Sequence, residues 1–235
     1  PTDVIVRVGG AGVCRTDLHI VEGVWRGLVE IEFPHIMGHE NAGWVEEGGS
    51  GVNSVKVGDP VIVHPLVTSG HCLACRRGED MHAEESSFPG INAAGGYADL
   101  LHTGERSLIK LPESLAPKDV APYTDAGLTA YRAAKKAAGH LVPGEYAVII
   151  GAGGLGHIGI QAVAALSPAE IIAVDMSDLA LDLALQPADA LGDLAAAGAD
   201  QAGDLGGDVM LRIESAVRDF GVGLVCIGGD QAFAA

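Results

Sequence analysis

Two short segments carry the groups best suited to chemistry: Gly12-Val13-Cys14-Arg15-Thr16-Asp17-Leu18-His19 and Gly38-His39-Glu40-Asn41-Ala42-Gly43, with Cys14 and His39 25 residues apart. Cys14 offers a thiolate and His39 a neutral imidazole, the donor types that a catalytic zinc site takes, and Thr16, Asp17 and Glu40 stand beside them. Such a site needs a few soft or borderline ligands and one coordination position open for substrate. Taken singly, a buried cysteine is usually inert packing, a histidine is more often a satisfied polar group, and Thr16 or Asp17 can simply cap a turn. The chemistry therefore depends on whether the two segments converge in space.

The elements around them are β-type. Asp3-Val4-Ile5-Val6-Arg7-Val8, Ala42-Gly43-Trp44-Val45 and Asp59-Pro60-Val61-Ile62-Val63 read as strands, closely punctuated by Gly and Pro. The first half of the chain is thus expected to be a mostly β domain with long functional loops. Its character changes near Leu115: Asp119 to Ala138 is Ala-rich and reads as a helix or helix pair, followed by a turn over Gly139 to Gly144.

A different signal then begins. Tyr146-Ala147-Val148-Ile149-Ile150 has the length and continuous apolarity of a buried parallel strand, and it runs into Gly151-Ala152-Gly153-Gly154-Leu155-Gly156. Apolar residues at Leu155, Ile158, Ala162, Val163 and Leu166 follow helical spacing, and Ile171-Ile172-Ala173-Val174 forms a second strand ending in Asp175. In this strand–turn–helix–strand setting the glycine loop is a dinucleotide site: Gly151 allows the tight turn, Gly153 admits a pyrophosphate, and Gly156 lets helix and strand pack closely. Backbone N–H groups at the helix start, around Gly154 and Leu155, face the phosphates. Asp175 can accept hydrogen bonds from both ribose hydroxyls but repels a 2′-phosphate, and neither Met176 nor Ser177 supplies a cation, which favours NAD over NADP. The plainer alternative for Asp175 is a helix N-cap. Beyond it, Leu179 to Gly207 reads weakly as helix, and Gly221 to Gly229 as another buried strand with its exit turn.

With these motifs in order, the chain resembles the zinc-dependent alcohol dehydrogenases of the medium-chain dehydrogenase/reductase superfamily, continuously from about Val6 to Asp175. The most specific element is Gly38-His39-Glu40-x-x-Gly43-x5-Gly49-x-x-Val52, which is similar to the family's zinc signature throughout. The Cys14 to His19 segment, the stretch from Ala121 to Thr129 and the glycine loop are similar to family motifs too. The resemblance implies an α/β fold: a GroES-like, mostly β catalytic domain over residues 1–118, then a doubly wound Rossmann NAD-binding domain over 119–235. It implies Cys14, His39 and Asp125 as ligands of one catalytic zinc, with Glu40 a carboxylate that approaches the metal transiently during ligand exchange. Thr16 would hydrogen-bond the substrate hydroxyl and His19 would relay its proton. Asp17 would hold the His39 ring and Arg15 would contact the cofactor pyrophosphate.

The chain departs from the family in two respects. The pattern Cys-x-x-Cys-x-x-Cys-x7-Cys of a second, structural zinc is represented here by Ser69, Cys72, Cys75 and Ala83, so no structural zinc is expected, with His71, Asp80 or His82 as substitutes for a looser site. Relatives also have strands before Pro1 and further βα units after Ala235, so by this resemblance the chain begins inside one domain and ends inside the other.

Composition limits the partners. A chain of 235 residues, 48% hydrophobic, can bury a sizeable core, and no apolar run reaches the roughly 18 residues of a membrane span. Four cysteines are too few for a disulfide framework, and the cytoplasm is the expected compartment. The 31 acidic residues against 14 Lys and Arg give a net charge of -17, which repels nucleic acid. The expected function is reversible NAD-dependent oxidation of primary or secondary alcohols by a homodimer or homotetramer. The alternatives are a polyol or sugar dehydrogenase of the same superfamily, or an inactive NAD-binding relative. The acidic surface further suggests adaptation to high salt, where screening removes self-repulsion. Thermal stability and activity are then expected to hold or rise from low to molar salt; a steady fall of both would reject that adaptation.

Overall fold

The computed structural model describes residues 1–27, 29, 31–184 and 223–225, the last with backbone alone. The chain divides into two compact units, Pro1–Asp125 and a second beginning at Ala126.

The first unit is built on a five-stranded sheet. Its strands are β1 (Asp3–Gly12), β2 (Glu40–Gly48), β3 (Pro60–Val63), β6 (Leu100–Gly104) and β7 (Leu108–Lys110), in the order β6-β1-β2-β3-β7. All neighbours are antiparallel. Period-two alternation points Val4, Val6, Val45, Val61, Val63 and Leu101 into one shared core, each at most 3% exposed. Two irregularities between β1 and β2, at Ile5/Val6 and Val8/Gly10, bend the pair and leave Gly12 opposite Glu40.

Short helices complete the unit. Helix α1 (Arg15–Glu22) starts directly after β1 and ends at Gly23 in the left-handed conformation. Helix α3 (Pro117–Val120) and a 3-10 turn over Ala121–Thr124 lie on the sheet, where Val120 and Ala121 bury against Ala42 and Leu111. A lobe holds the ribbon of β4 (Val67–Thr68) and β5 (Ser86–Ser87) with helix α2 (Leu73–Arg76) between them. Arg106 anchors the lobe: its Nη2 donates to both carboxylate oxygens of Asp80, at 2.9 and 3.0 Å, and to the Cys75 carbonyl at 3.3 Å. Thr68 Oγ1 donates to the same Asp80 carboxylate at 2.7 Å. Asp80, one of the expected substitute ligands, is thus committed to an arginine and a threonine.

In the second unit the expected strand–helix–strand appears as β8 (Tyr146–Ile150), α5 (Gly156–Leu166) and β9 (Glu170–Val174). The sheet is parallel, with β10 (Gly223–Val225) beside β8 on the side away from β9. Helix α4 (Ala126–Ala138) covers it, packing Ala130 and Ala134 on Ile149 and Val163. The Ala-rich stretch expected as a helix or helix pair is therefore two helices with a 3-10 turn and Asp125 between them. Past β9, α6 (Asp178–Ala184) begins the weakly expected helix. The rest of Leu179 to Gly207 lies outside the described residues, as do the flanks of the Gly221 to Gly229 strand. No helix among the described residues is long and apolar enough to cross a membrane.

Alternation along β6 sets up a direct test, because Leu101 is 1% exposed and its neighbour Leu100 52%. Leu101→Ala is expected to destabilise by about 2–5 kcal/mol in urea unfolding, and Leu100→Ala by no more than about 0.5 kcal/mol. Similar losses at both sites would contradict the assignment of faces.

Candidate active site

The β1–β2 register brings the two segments together. Gly12 is paired with Glu40, so Cys14, just past one strand end, and His39, just before the other, are carried to the same sheet edge. A side chain on Gly12 would occupy the space of the Glu40 carboxylate. Gly38 has φ +93°, and a Cβ there would run into the Tyr97 ring, so the turn that delivers His39 requires glycine at this point.

Asp125, at the end of the 3-10 turn that packs against β2, completes the group. The Cys14 thiol, a His39 ring nitrogen and carboxylate oxygens of Glu40 and Asp125 all lie within 4.8 Å of one another. Among the described residues this is the sole cluster of its kind. His39 is 1% and Glu40 3% exposed, while Cys14 and Asp125 are half-buried.

His39 is the centre of the arrangement. Its Nε2 lies 3.4 Å from Asp125 Oδ2 and its Nδ1 3.4 Å from Asp17 Oδ1. These are ion-pair contacts, longer than a typical hydrogen bond, and both ring nitrogens and Asp17 Oδ1 have no hydrogen-bond partner among the described residues. Burial disfavours the imidazolium, but the contacts with Asp125, then Asp17 and Cys14, outweigh it and push the His39 pKa up to about 12. The pocket therefore favours positive charge. A proton on His39 is one answer; a divalent cation is the better match to several anionic donors. Two ligands of a tetrahedral ion with bonds of about 2.0–2.1 Å sit about 3.4 Å apart, and Asp125 Oδ2 and His39 Nε2 have that separation. Thiolate, imidazole and carboxylate form a donor set suited to zinc.

Asp17 combines two tasks that the sequence offered as alternatives. Its Oδ2 accepts from the Cys14 N–H at 2.9 Å, capping α1, while Oδ1 faces His39. Burial raises its pKa, and the contacts with His39, the Cys14 N–H and Tyr97 outweigh this and keep it lowered, so it remains a carboxylate. Tyr97 is the group that sequence reasoning missed. Its hydroxyl lies 2.9 Å from Asp17 Oδ2 and 3.1 Å from the Gly12 carbonyl, and burial and the Asp17 charge hold it protonated, well above an ordinary tyrosine. Phe88, also missed, sets its ring edge-on to His39 at 5.9 Å. Neither lies in a motif, so only the fold reveals them.

The remaining first-segment residues lie on α1. Thr16 and His19 are three residues apart and share a helix face, both half-buried. Arg15 is exposed and its Nε donates to His19 Nε2 at 3.3 Å.

In the second unit, Gly151 turns with φ +88° at the end of β8, and α5 begins at Gly156. The space beside Gly153 and Gly154 is open: a Cβ there would meet no protein atom within 4 Å. This is the room that close approach of a pyrophosphate needs. Leu155 precedes the first helical residue. Asp175 directly follows β9, with Oδ2 accepting from the Ala152 N–H at 2.7 Å and Oδ1 from the Ser177 N–H at 2.8 Å. The cap of α6 falls instead to Ser177, whose Oγ accepts from the Ala180 N–H at 3.3 Å.

Comparison with known proteins agrees with this architecture. The family described as alcohol dehydrogenase GroES-like domain matches residues 1–113. An alcohol dehydrogenase of Geobacillus stearothermophilus is 39% identical over 185 residues, covering 78% of this chain and 53% of that protein. The D-arabinose 1-dehydrogenase (NADP+) of Saccharolobus solfataricus is 37% identical over 188 residues, covering 78% and 53%. The crystal structure of the alcohol dehydrogenase from Aeropyrum pernix superposes with a TM-score of 0.78 at 48% identity, covering 92% of this chain and 61% of that one. The chain spans about half the length of the curated relatives it matches. Sequence and fold agree: residues 1–113 belong to the alcohol dehydrogenase GroES-like domain family, and the chain is similar over most of its length to alcohol dehydrogenases of the medium-chain dehydrogenase/reductase superfamily.

Proposed function

We propose that this protein is a zinc- and NAD-dependent dehydrogenase that interconverts primary or secondary alcohols with aldehydes or ketones. The convergence of Cys14, His39, Glu40 and Asp125 donors within 4.8 Å carries the reading. Cys14, His39 and Asp125 would hold the metal, leaving Glu40 as the neighbouring carboxylate. The chemistry supplied by the bound groups is Lewis-acid polarisation of the alcohol or carbonyl oxygen by zinc and hydride exchange by the nicotinamide.

The chain's own residues do the rest. Asp17, facing Nδ1, favours the tautomer that leaves the His39 Nε2 lone pair for the donor cluster. Thr16, two residues past Cys14, takes the proton of the substrate hydroxyl through its own hydroxyl. His19, on the same face of α1, passes that proton on toward solvent. Arg15 contributes a fixed positive charge for the cofactor phosphates, and the glycine loop from Gly151 to Gly156 supplies room and backbone N–H groups. Each Asp175 oxygen keeps acceptor capacity beyond its one backbone bond, which suits the two ribose hydroxyls of NAD.

Likeness to the arabinose dehydrogenase supports a second reading, oxidation of a sugar or polyol. Side-by-side rates with ethanol, 2-propanol, cyclohexanol, sorbitol, glucose and D-arabinose separate the two. His39→Ala is expected to lose bound zinc and reduce turnover to background while NADH binding, read by fluorescence, persists; unchanged turnover would sink the assignment. Tyr97→Phe removes one donor to Asp17 and is expected to weaken zinc retention against a chelator by about 10-fold. Retention equal to the parent protein would remove Tyr97 from the support of the site.

A further inference from the structure

Away from the donor cluster, a second pair of nucleophilic side chains comes together in the lobe. Cys72 precedes α2 and Cys75 lies within it; their sulfurs are 3.2 Å apart and both are free thiols. Cys72 is partly exposed, whereas Cys75 is 4% exposed. The two positions that would complete a four-thiolate metal site carry Ser69 and Ala83, and Asp80 is occupied by Arg106 and Thr68.

What remains is a dithiol in direct contact, with arginines close by in the chain. Arg76 and Arg77 follow Cys75 directly, and Arg106 donates to its carbonyl, in a chain that is otherwise strongly acidic. The Cys75 N–H also points at the Cys72 sulfur, at 3.5 Å. This contact and a backbone hydrogen bond from Glu84 hold the Cys72 thiol below its usual range. An accessible sulfur that favours its thiolate, with a buried thiol in contact behind it, has the arrangement of an attacking and a resolving cysteine.

We propose that Cys72 and Cys75 form a redox-responsive pair that closes reversibly to a disulfide by exchange with a low-molecular-weight disulfide. The Cys72 thiolate attacks one sulfur of the small disulfide, forming a mixed disulfide and releasing one small thiolate. Cys75 then gives its proton to solvent and attacks the Cys72 sulfur. The intramolecular S–S bond forms and the second small thiolate leaves, so two protein thiols are oxidised and one disulfide is reduced to two thiols. Closure needs the sulfurs to approach by about 1 Å to reach the length of an S–S bond, a movement available to partly exposed Cys72 by side-chain rotation. A disulfide spanning so short a loop constrains little of the unfolded chain, which suits a switch better than a staple.

The test is titration of the purified protein in glutathione buffers of increasing oxidation, with free thiols blocked by maleimide and counted by intact mass and peptide mapping. The expected result is joint loss of the Cys72 and Cys75 thiols in one transition, reversed by dithiothreitol. Cys75→Ser is expected to trap one glutathione on Cys72, and Cys72→Ser to trap none on Cys75. The proposal is overturned if both thiols remain alkylatable in the most oxidising buffer, or if the two variants are glutathionylated equally. Peptide mapping of the unsubstituted protein decides the matter even if a variant fails to fold. It is also overturned if stoichiometric zinc binds these two sulfurs and blocks the exchange, since a metal site would then stand in place of the switch.

Discussion

Everything at the candidate active site depends on the pairing of β1 with β2. Gly12 opposite Glu40 is a statement about register, and register is set where Val4, Val6 and Val45 bury themselves in the first unit's core. A slip of one residue would turn the whole β1 set to the opposite face, exposing those valines and separating Cys14 from His39. The hydrophobic alternation of one end of the sheet thus positions the polar atoms at the other. The two irregularities in the pairing shift the register between core and site, so both ends are satisfied at once.

On that frame sits an electrostatic arrangement that favours positive charge at its centre. An imidazole almost wholly withdrawn from water faces Asp17 on one side and Asp125, with the Cys14 thiol, on the other. Several anions gathered in a buried place repel one another more strongly than they would in water. The Asp17 network relieves part of this through the Cys14 N–H and the Tyr97 hydroxyl, both neutral donors. Those bonds hold the carboxylate in place without adding the charge that the donor cluster is left to attract.

Sequence reasoning reached the parts of this that are local. The strand, glycine loop, helix and second strand around Tyr146 to Asp175 follow from contiguous patterns, and the structure has them within a residue or two. Cys14 and His39 stood out by residue type and spacing, but their convergence needed the antiparallel pairing. Asp125 came only through family resemblance: its position reflects the break between a 3-10 turn and α4, inside an Ala-rich stretch that reads as helix. Tyr97 was invisible, because its hydroxyl meets Asp17 from a loop 80 residues away and no periodicity reports such a contact. Likewise, the lobe's loss of two cysteines was plain in the sequence, whereas its replacement bond between Arg106 and Asp80 was not.

Asp175 illustrates how one carboxylate can bind recognition to architecture. Its oxygens receive the N–H groups of Ala152, within the glycine loop, and Ser177, which opens α6. The group suited to reading a ribose is therefore also the clasp that joins the end of β9 to the turn after β8. Removing that carboxylate would leave the Ala152 and Ser177 N–H groups without their acceptor, so a change made at the reading position is felt at once in the joint between the two strands.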